Sequence, residues 1–243
     1  MLSRLTGRLA VGVLLLLILP LATLCVGWRW YPGEGNAFLL PLFWLTETAS
    51  SPWGAITSVI LAVWFIWRLS LPRRQAIAVV ALLAAVIVGG QAIKSVVKET
   101  VAEPRPYVLW MENEYHIDDR AFYEQGRKTR AKMIEQRLGQ EARVPLWLSD
   151  HWQRETGYSF PSGHTLFTAS WALMGIGLLL PRRRYLDAGV LMAWAVSVAG
   201  SRLLLGMHWP IDLIVSTLLS GLLALSACWV AERKIFAKAR RDE

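Results

Sequence analysis

Residues 76–93 read AIAVVALLAAVIVGGQAI, a run of 18 positions without a charge. A run of that length is a candidate transmembrane helix, since about 20 residues cross the hydrocarbon core. Five further apolar runs lie on either side: Leu9–Gly27, Trp53–Leu69, Thr165–Leu180, Tyr185–Leu203 and Pro210–Ala231. Polar interruptions (Gly89, Gly90 and Gln91; Asp187 and Ser197) sit inside two of the six, and membrane helices tolerate Gly where neighbours pack closely. The reading is an all-α integral membrane protein, a six-helix bundle forming one domain over residues 1–243. Composition agrees. Hydrophobic residues make up 54% and charged residues 18% of the chain, which excludes a disordered chain and argues against an ordinary soluble domain.

Arg4 and Arg8 precede the first run, the pattern of a signal peptide. The apolar stretch is too long for a typical signal core and no A-x-A site follows, so a retained span is expected. Charge then sets orientation. Thirteen basic residues fall on one side of the six spans: Arg4, Arg8, Arg68, Arg73, Arg74, Arg182, Arg183, Arg184, Arg233, Lys234, Lys238, Arg240 and Arg241. The short connections on the other side hold only Arg29 and Arg202. The positive-inside rule places both termini in the cytoplasm. The net charge of +8 therefore records topology and contact with anionic phospholipid, not nucleic-acid binding.

This orientation puts Cys25 and Cys228 at opposite membrane faces, too far apart for a disulfide, and reads both as small apolar packing residues. It puts Trp28, Trp30 and Trp53 at the outer boundary and Trp64, Trp67 and Trp229 at the inner one, as belt anchors. Two segments lie outside. Asn36–Ala49 is apolar but too short to span, which suits an interfacial or re-entrant helix. The segment from about residue 99 to 160 is polar and expected on the outer side. Within it, Asp118 and Asp119 are expected to cap one helix from Arg120 to Glu141. The segment is either a cap over a site or a plain connector. His116 and His151 have no partners at metal-ligand spacing and stay outside the expected chemistry.

Three polar clusters fall on the same outer face. The first is Lys98 with Arg105 and Pro106. The second is Pro161-Ser162-Gly163-His164. The third is Ser201-Arg202 with His208 and Asp212. Lys98, Arg105 and Arg202 offer three cations to a multiply charged anion, and Arg holds phosphate oxygens through parallel N–H donors. Ser162 and Gly163 open a helix whose N–H groups also favour an anion. Asp212 follows His208 by four residues, so the two meet on one helix face. A carboxylate holding one imidazole nitrogen leaves the other free to attack phosphorus, and His164 can protonate the leaving oxygen. No Asp/Glu/His cluster supplies a metal site, and no cofactor is expected.

These motifs, K-x6-R-P, P-S-G-H and S-R-x5-H-x3-D, resemble the signature of the type-2 phosphatidic acid phosphatase superfamily. Every fixed position and every spacing inside the motifs matches. The resemblance implies a metal-independent phosphatase working through a phosphohistidine. His208 is then the nucleophile, Asp212 its orienting partner and His164 the acid and base. Lys98, Arg105, Ser162, Gly163 and Arg202 hold the phosphate. Relatives act on phosphatidylglycerophosphate, undecaprenyl diphosphate, phosphatidic acid, lysophosphatidic acid or diacylglycerol diphosphate. The implied partners are lipid phosphates and membrane phospholipids, with no obligate protein partner. The implied location is the bacterial inner membrane, with the site on the periplasmic side. The alternatives are a non-catalytic binding or transport protein for polyprenyl phosphates, and a structural protein whose outer charges pair only with each other.

Overall fold

The computed structural model describes residues 2–33, 39–139 and 141–237. Among them every regular element is helical. α1 (Leu2–Cys25) leads to a short apolar α2 (Leu39–Glu47), then α3 (Trp53–Leu69) and α4 (Arg73–Val101). Four polar-segment helices follow: α5 (Pro106–Tyr115), α6 (Asp119–Glu124), α7 (Arg127–Leu138) and α8 (Leu146–Arg154). α9 (Gly163–Leu178), α10 (Tyr185–Leu204) and α11 (Pro210–Val230) complete the bundle. A 3-10 turn extends α9 to Arg182, and a π-helical stretch extends α11 to Phe236. Five of these helical stretches are long and apolar enough to cross a bilayer, and α3, at 17 residues, is a shorter apolar helix. The chain is a multi-pass membrane protein.

α9 is the axis. Every residue from Thr165 to Leu178 is buried, as expected for a helix apolar on all sides. α1, α4, α10 and α11 pack around it. The closest approach is to α11. A side chain at Gly177 would overlap Cys228 Sγ, so only Gly lets the two backbones meet there. Polar glue reinforces the contact. Ser216 Oγ donates to the Ser162 carbonyl at 3.0 Å, and Ser220 Oγ to the Leu166 carbonyl at 3.0 Å. At the other end Arg68 on α3 donates to Asp187 on α10 at 2.6 and 2.9 Å. α3 packs on α4, and a cavity of about 570 Å³ opens between them against α9. Gly54, Ser58, Leu83, Ile87, Gln91 and Trp171 are among its walls.

The polar segment has a second, aromatic core. Tyr107 stacks on Trp152 at 4.6 Å, and Trp30 meets Trp110 and Trp152 edge-on. Indole N–H groups tie this core to the α10–α11 turn. Trp30 Nε1 donates to the Leu204 carbonyl and Trp152 Nε1 to the Leu205 carbonyl, both at 2.9 Å. Gly206 completes the turn at φ +68°, with the Trp30 ring where a Cβ would project.

The structure corrects several expectations. The single helix from Arg120 to Glu141 is two helices, because Gln125 and Gly126 are both extended (ψ 152° and 155°); Gly is a poor helix former and supplies the break. Asp118 does cap the first of them, accepting from the Ala121 N–H at 2.8 Å. Trp30 is no belt anchor but a buried core residue, whereas Trp53 and Trp67 are exposed, as anchors are. Cys228 packs in the core but Cys25 is exposed, and both are free thiols. The third span is longer than Ala76–Ile93, running 29 residues. Gly35–Phe38, Lys238, Arg240 and Arg241 lie outside the described residues.

Candidate active site

The predicted residues come from distant stretches and meet at one end of the bundle. Lys98 is in the last turn of α4, Arg105 caps α5, and Ser162 and His164 open α9. Arg202 is in the last turn of α10, His208 in the following turn, and Asp212 in the first turn of α11.

The local fold follows from chain chemistry. Pro210 occupies the first turn of α11, where its missing N–H costs nothing. Asp212 Oδ2 takes the otherwise unpaired Trp209 N–H at 3.1 Å. The same oxygen accepts from His208 Nδ1 at 2.9 Å and from Ser159 Oγ. Nδ1 is thereby fixed as donor, and Nε2 keeps its lone pair. Burial, with Arg105, Arg202 and Lys98 nearby, pushes the His208 pKa well below the ordinary imidazole value. The ring is neutral at pH 7, the state a nucleophile needs.

Backbone carbonyls hold two of the three cations, Arg105 and Lys98, and side chains hold Arg202. Arg105 Nε donates to the Gly157 carbonyl at 2.6 Å and Nη1 to the Met207 carbonyl at 3.0 Å. Lys98 Nζ donates to the next carbonyl, that of Tyr158. Arg202 Nη1 donates to Thr46 Oγ1 at 3.2 Å and to His151 Nε2 at 3.0 Å. Arg202 Nε is buried without a partner among the described residues, a donor left over for another oxygen. Ser162 Oγ accepts from the Thr165 N–H at 3.3 Å and caps α9. A Cβ at Gly163 would come within 2.9 Å of Lys94 Cδ, so Gly keeps the helix mouth narrow but open. Its carbonyl accepts from Gln91, which also lines the 570 Å³ cavity.

Sequence reasoning missed a further set of residues. Glu155, the residue ending α8, accepts from Arg202 Nη2 at 2.9 Å and lies 3.6 Å from Arg105 and 3.4 Å from His164 Nε2. Burial pushes its pKa up, but Arg202, His164, His151 and Arg105 together hold it well below the carboxylate range. His164 Nε2 also pairs with Ser50 Oγ at 2.8 Å. His151, left outside the chemistry above, is buried against Arg202. Burial is the main cause that lowers its pKa. An arginine can only donate, so His151 Nε2 is the bare nitrogen, and Nδ1 faces Glu47 at 3.4 Å. The sequence carries one faint signal for Glu155, its place just before the Gly157–His164 stretch. Glu47, Ser50 and His151 carry none.

A neutral, oriented imidazole beside converging N–H donors can attack and hold a phosphoryl group. Among the described residues, the acidic trio close enough to share a metal ion, Glu112, Asp118 and Asp119, lies on the polar segment and includes none of these groups.

The chain is similar to known phosphatases. Phosphatidylglycerophosphatase B of Escherichia coli is 50% identical over 93% of this chain and 89% of its own length. Phosphatidylglycerophosphatase B of Haemophilus influenzae is 35% identical over 89% of this chain and 92% of its own. An undecaprenyl-diphosphatase of Sulfolobus acidocaldarius is 38% identical over 28% of this chain and 31% of its own. The PAP2 superfamily pattern spans residues 76–236, the stretch that carries all three motifs, and the chain belongs to that superfamily.

Proposed function

We propose that this protein is a membrane phosphatase that removes phosphate from phosphatidylglycerophosphate and related lipid phosphates and diphosphates through a phosphohistidine. The observation that carries the reading is His208, held by Asp212 through Nδ1 with no hydrogen bond to Nε2 among the described residues, and with its pKa pushed down by burial and the nearby cations. Binding alone requires no such pair, which argues against the non-catalytic alternative. The names of the two full-length relatives support phosphatidylglycerophosphate as substrate. The partial match to an undecaprenyl-diphosphatase supports the diphosphates.

In the first step His208 Nε2 forms a bond to phosphorus while the bond to the lipid oxygen breaks. His164 gives that oxygen its proton. In the second, His164 takes a proton from water, the water oxygen attacks phosphorus, and the N–P bond breaks to release inorganic phosphate. Lys98, Arg105, Arg202, Ser162 and the N–H groups at the start of α9 hold the phosphoryl oxygens. The apolar cavity between α3 and α4 reaches Gln91, whose amide bonds Gly163, and so suits the acyl chains of a lipid.

Six spans in one domain, with both termini in the cytoplasm, complete the proposal. Helices α5–α8 then form a periplasmic cap and the site faces the periplasm of the inner membrane. The basic residues Arg4, Arg8, Arg73, Arg74, Arg183, Arg184, Arg233 and Lys234 lie at the helix ends remote from the site, as the positive-inside rule asks.

The test is phosphate release by the purified protein from a panel of lipid mono- and diphosphates, in excess EDTA, beside His208→Ala. Turnover by the parent and a loss of at least about a thousandfold in the variant are expected, with lipid-phosphate binding retained. Binding without release by the parent favours the transport reading. A variant with a tenth of parental activity refutes His208 as nucleophile.

A further inference from the structure

A second cavity, of about 540 Å³, opens at the opposite end of the bundle. Arg4, Leu5 and Arg8 of α1, Pro181, and Trp229 and Glu232 at the end of α11 line it. Trp229 and Asp212 are 17 residues apart along that helix, about 26 Å at 1.5 Å per residue. This cavity is therefore separate from the phosphatase site.

Its chemistry is one-sided. Arg4 and Arg8 are four residues apart and share a helix face. Arg8 Nε donates to the Arg4 carbonyl at 3.2 Å, which turns the guanidinium along the cavity wall. No carboxylate lies within ion-pair distance of either arginine among the described residues. The one carboxylate in the wall, Glu232, is 3.7 Å from Arg182 Nη1. Arg182 in turn lies over Phe236, and Arg233 over Trp229. The floor is apolar: Leu5 is buried, and Pro181 and Trp229 face the space.

Two guanidinium groups with no carboxylate partner among the described residues, over an apolar floor and at the level where helices leave the membrane, match one class of ligand. We infer that this cavity binds the phosphodiester headgroup of an anionic glycerophospholipid, with an acyl chain against Leu5, Pro181 and Trp229. The arginines take the phosphodiester oxygens through paired N–H donors. Basic pockets between membrane helices bind anionic headgroups in this way. A zwitterionic lipid gains less, because its ammonium group meets two arginines and a carboxylate already engaged by Arg182. Free phosphate gains less too, because it leaves the apolar floor unused.

Native mass spectrometry of the purified full chain in detergent tests this, with dioleoylphosphatidylglycerol as probe. The parent should hold one more tightly bound anionic lipid than Arg4→Gln/Arg8→Gln. Each basic contact at an anionic surface contributes about fivefold, so the double variant should bind that lipid about 25-fold more weakly. Arg4→Lys/Arg8→Lys should restore most of the binding, which separates lost charge from a disturbed α1. Dioleoylphosphatidylcholine should bind parent and variant alike, and millimolar inorganic phosphate should not displace the anionic lipid. Equal binding of the anionic lipid by parent and glutamine variant overturns the proposal. So does equal affinity for the two lipids at the parent site. Displacement by inorganic phosphate overturns the lipid assignment in favour of a plain anion site. Lipid-phosphate turnover should stay at the parental rate in both variants, since neither arginine touches the phosphatase site.

Discussion

As the proposed nucleophile, His208 stands at the junction of two opposing demands. It must stay unprotonated to attack, yet it sits among groups that attract a dianion. Burial and the cations resolve this together by keeping a second proton off the ring. The sign is then fixed. Activity is present above the lowered pKa of His208 and is lost as pH falls through it, so the acid limb of kcat/KM lies below the ordinary value of 6.5. Arg105→Gln removes one of the charges that lower that pKa, and the limb should move to higher pH. Comparing variant with parent on one substrate cancels the ionisation of the substrate itself. A limb that stays in place refutes the coupling. His164 carries a different expectation, because an acid matters only as much as the leaving group needs a proton. His164→Ala should slow hydrolysis of an alkyl phosphate monoester far more than formation of phosphoenzyme from p-nitrophenyl phosphate. With that good leaving group the variant should show a burst and then slow turnover, since water attack has lost its base. Equal slowing on both substrates, with no burst, leaves His164 as a phosphate-binding group only.

The elements show how close packing sets the frame of the site. α9 and α11 carry Ser162, His164 and Asp212, and their register depends on contact along the whole length. Gly177→Ala forces the new methyl into Cys228 Sγ at the far end of that contact. Overpacking of this kind typically costs about 1–3 kcal/mol, readable as a lower Tm. Adding Cys228→Ala removes the sulfur but leaves its Cβ 3.1 Å from the new methyl. The double variant should therefore recover part of the loss; no recovery means that the two helices are not in contact there. The legibility of the sequence divides along the same lines. Apolar runs announce the helices because length and composition are local properties. Lys98, Arg105, His164, Arg202, His208 and Asp212 were legible because their chemistry is packed into three short motifs. Glu155 and His151 were not, because each became a site residue only when α8 folded back onto α10. In the chain they sit in a segment of mixed charge that reads as solvated surface. Ser50 and Glu47 reach the site only through the turn between α2 and α3. Trp30 was misplaced for another reason: an indole near a membrane edge suits a belt and a buried core equally well, and only the neighbouring Trp110 and Trp152 decide.

At the scale of the whole molecule the two ends differ in what they offer a lipid. One end gathers histidines, cations and Glu155 beneath an aromatic-cored helical segment. The other is rimmed by arginines. Between them the wall of the 570 Å³ cavity is uneven. α4 has 29 residues and α3 only 17, so α4 is about 44 Å long and α3 about 26 Å. Trp53 and Trp67, exposed near the two ends of α3, are 14 residues apart, about 21 Å. A hydrocarbon core of about 30 Å is thicker than that. If α3 spans the bilayer as proposed, hydrophobic mismatch falls on one side of the protein and the bilayer thins locally where α3 meets it. Headgroups there would be drawn toward the midplane beside the cavity, which would shorten the path of a substrate phosphate to Gly163. Membrane thickness would then control turnover. In vesicles, kcat/KM should fall several-fold from 14-carbon to 22-carbon acyl chains, as the cost of thinning rises by a fraction of a kcal/mol for about each ångström of added mismatch. A rate indifferent to chain length means that the annulus around α3 is not deformed.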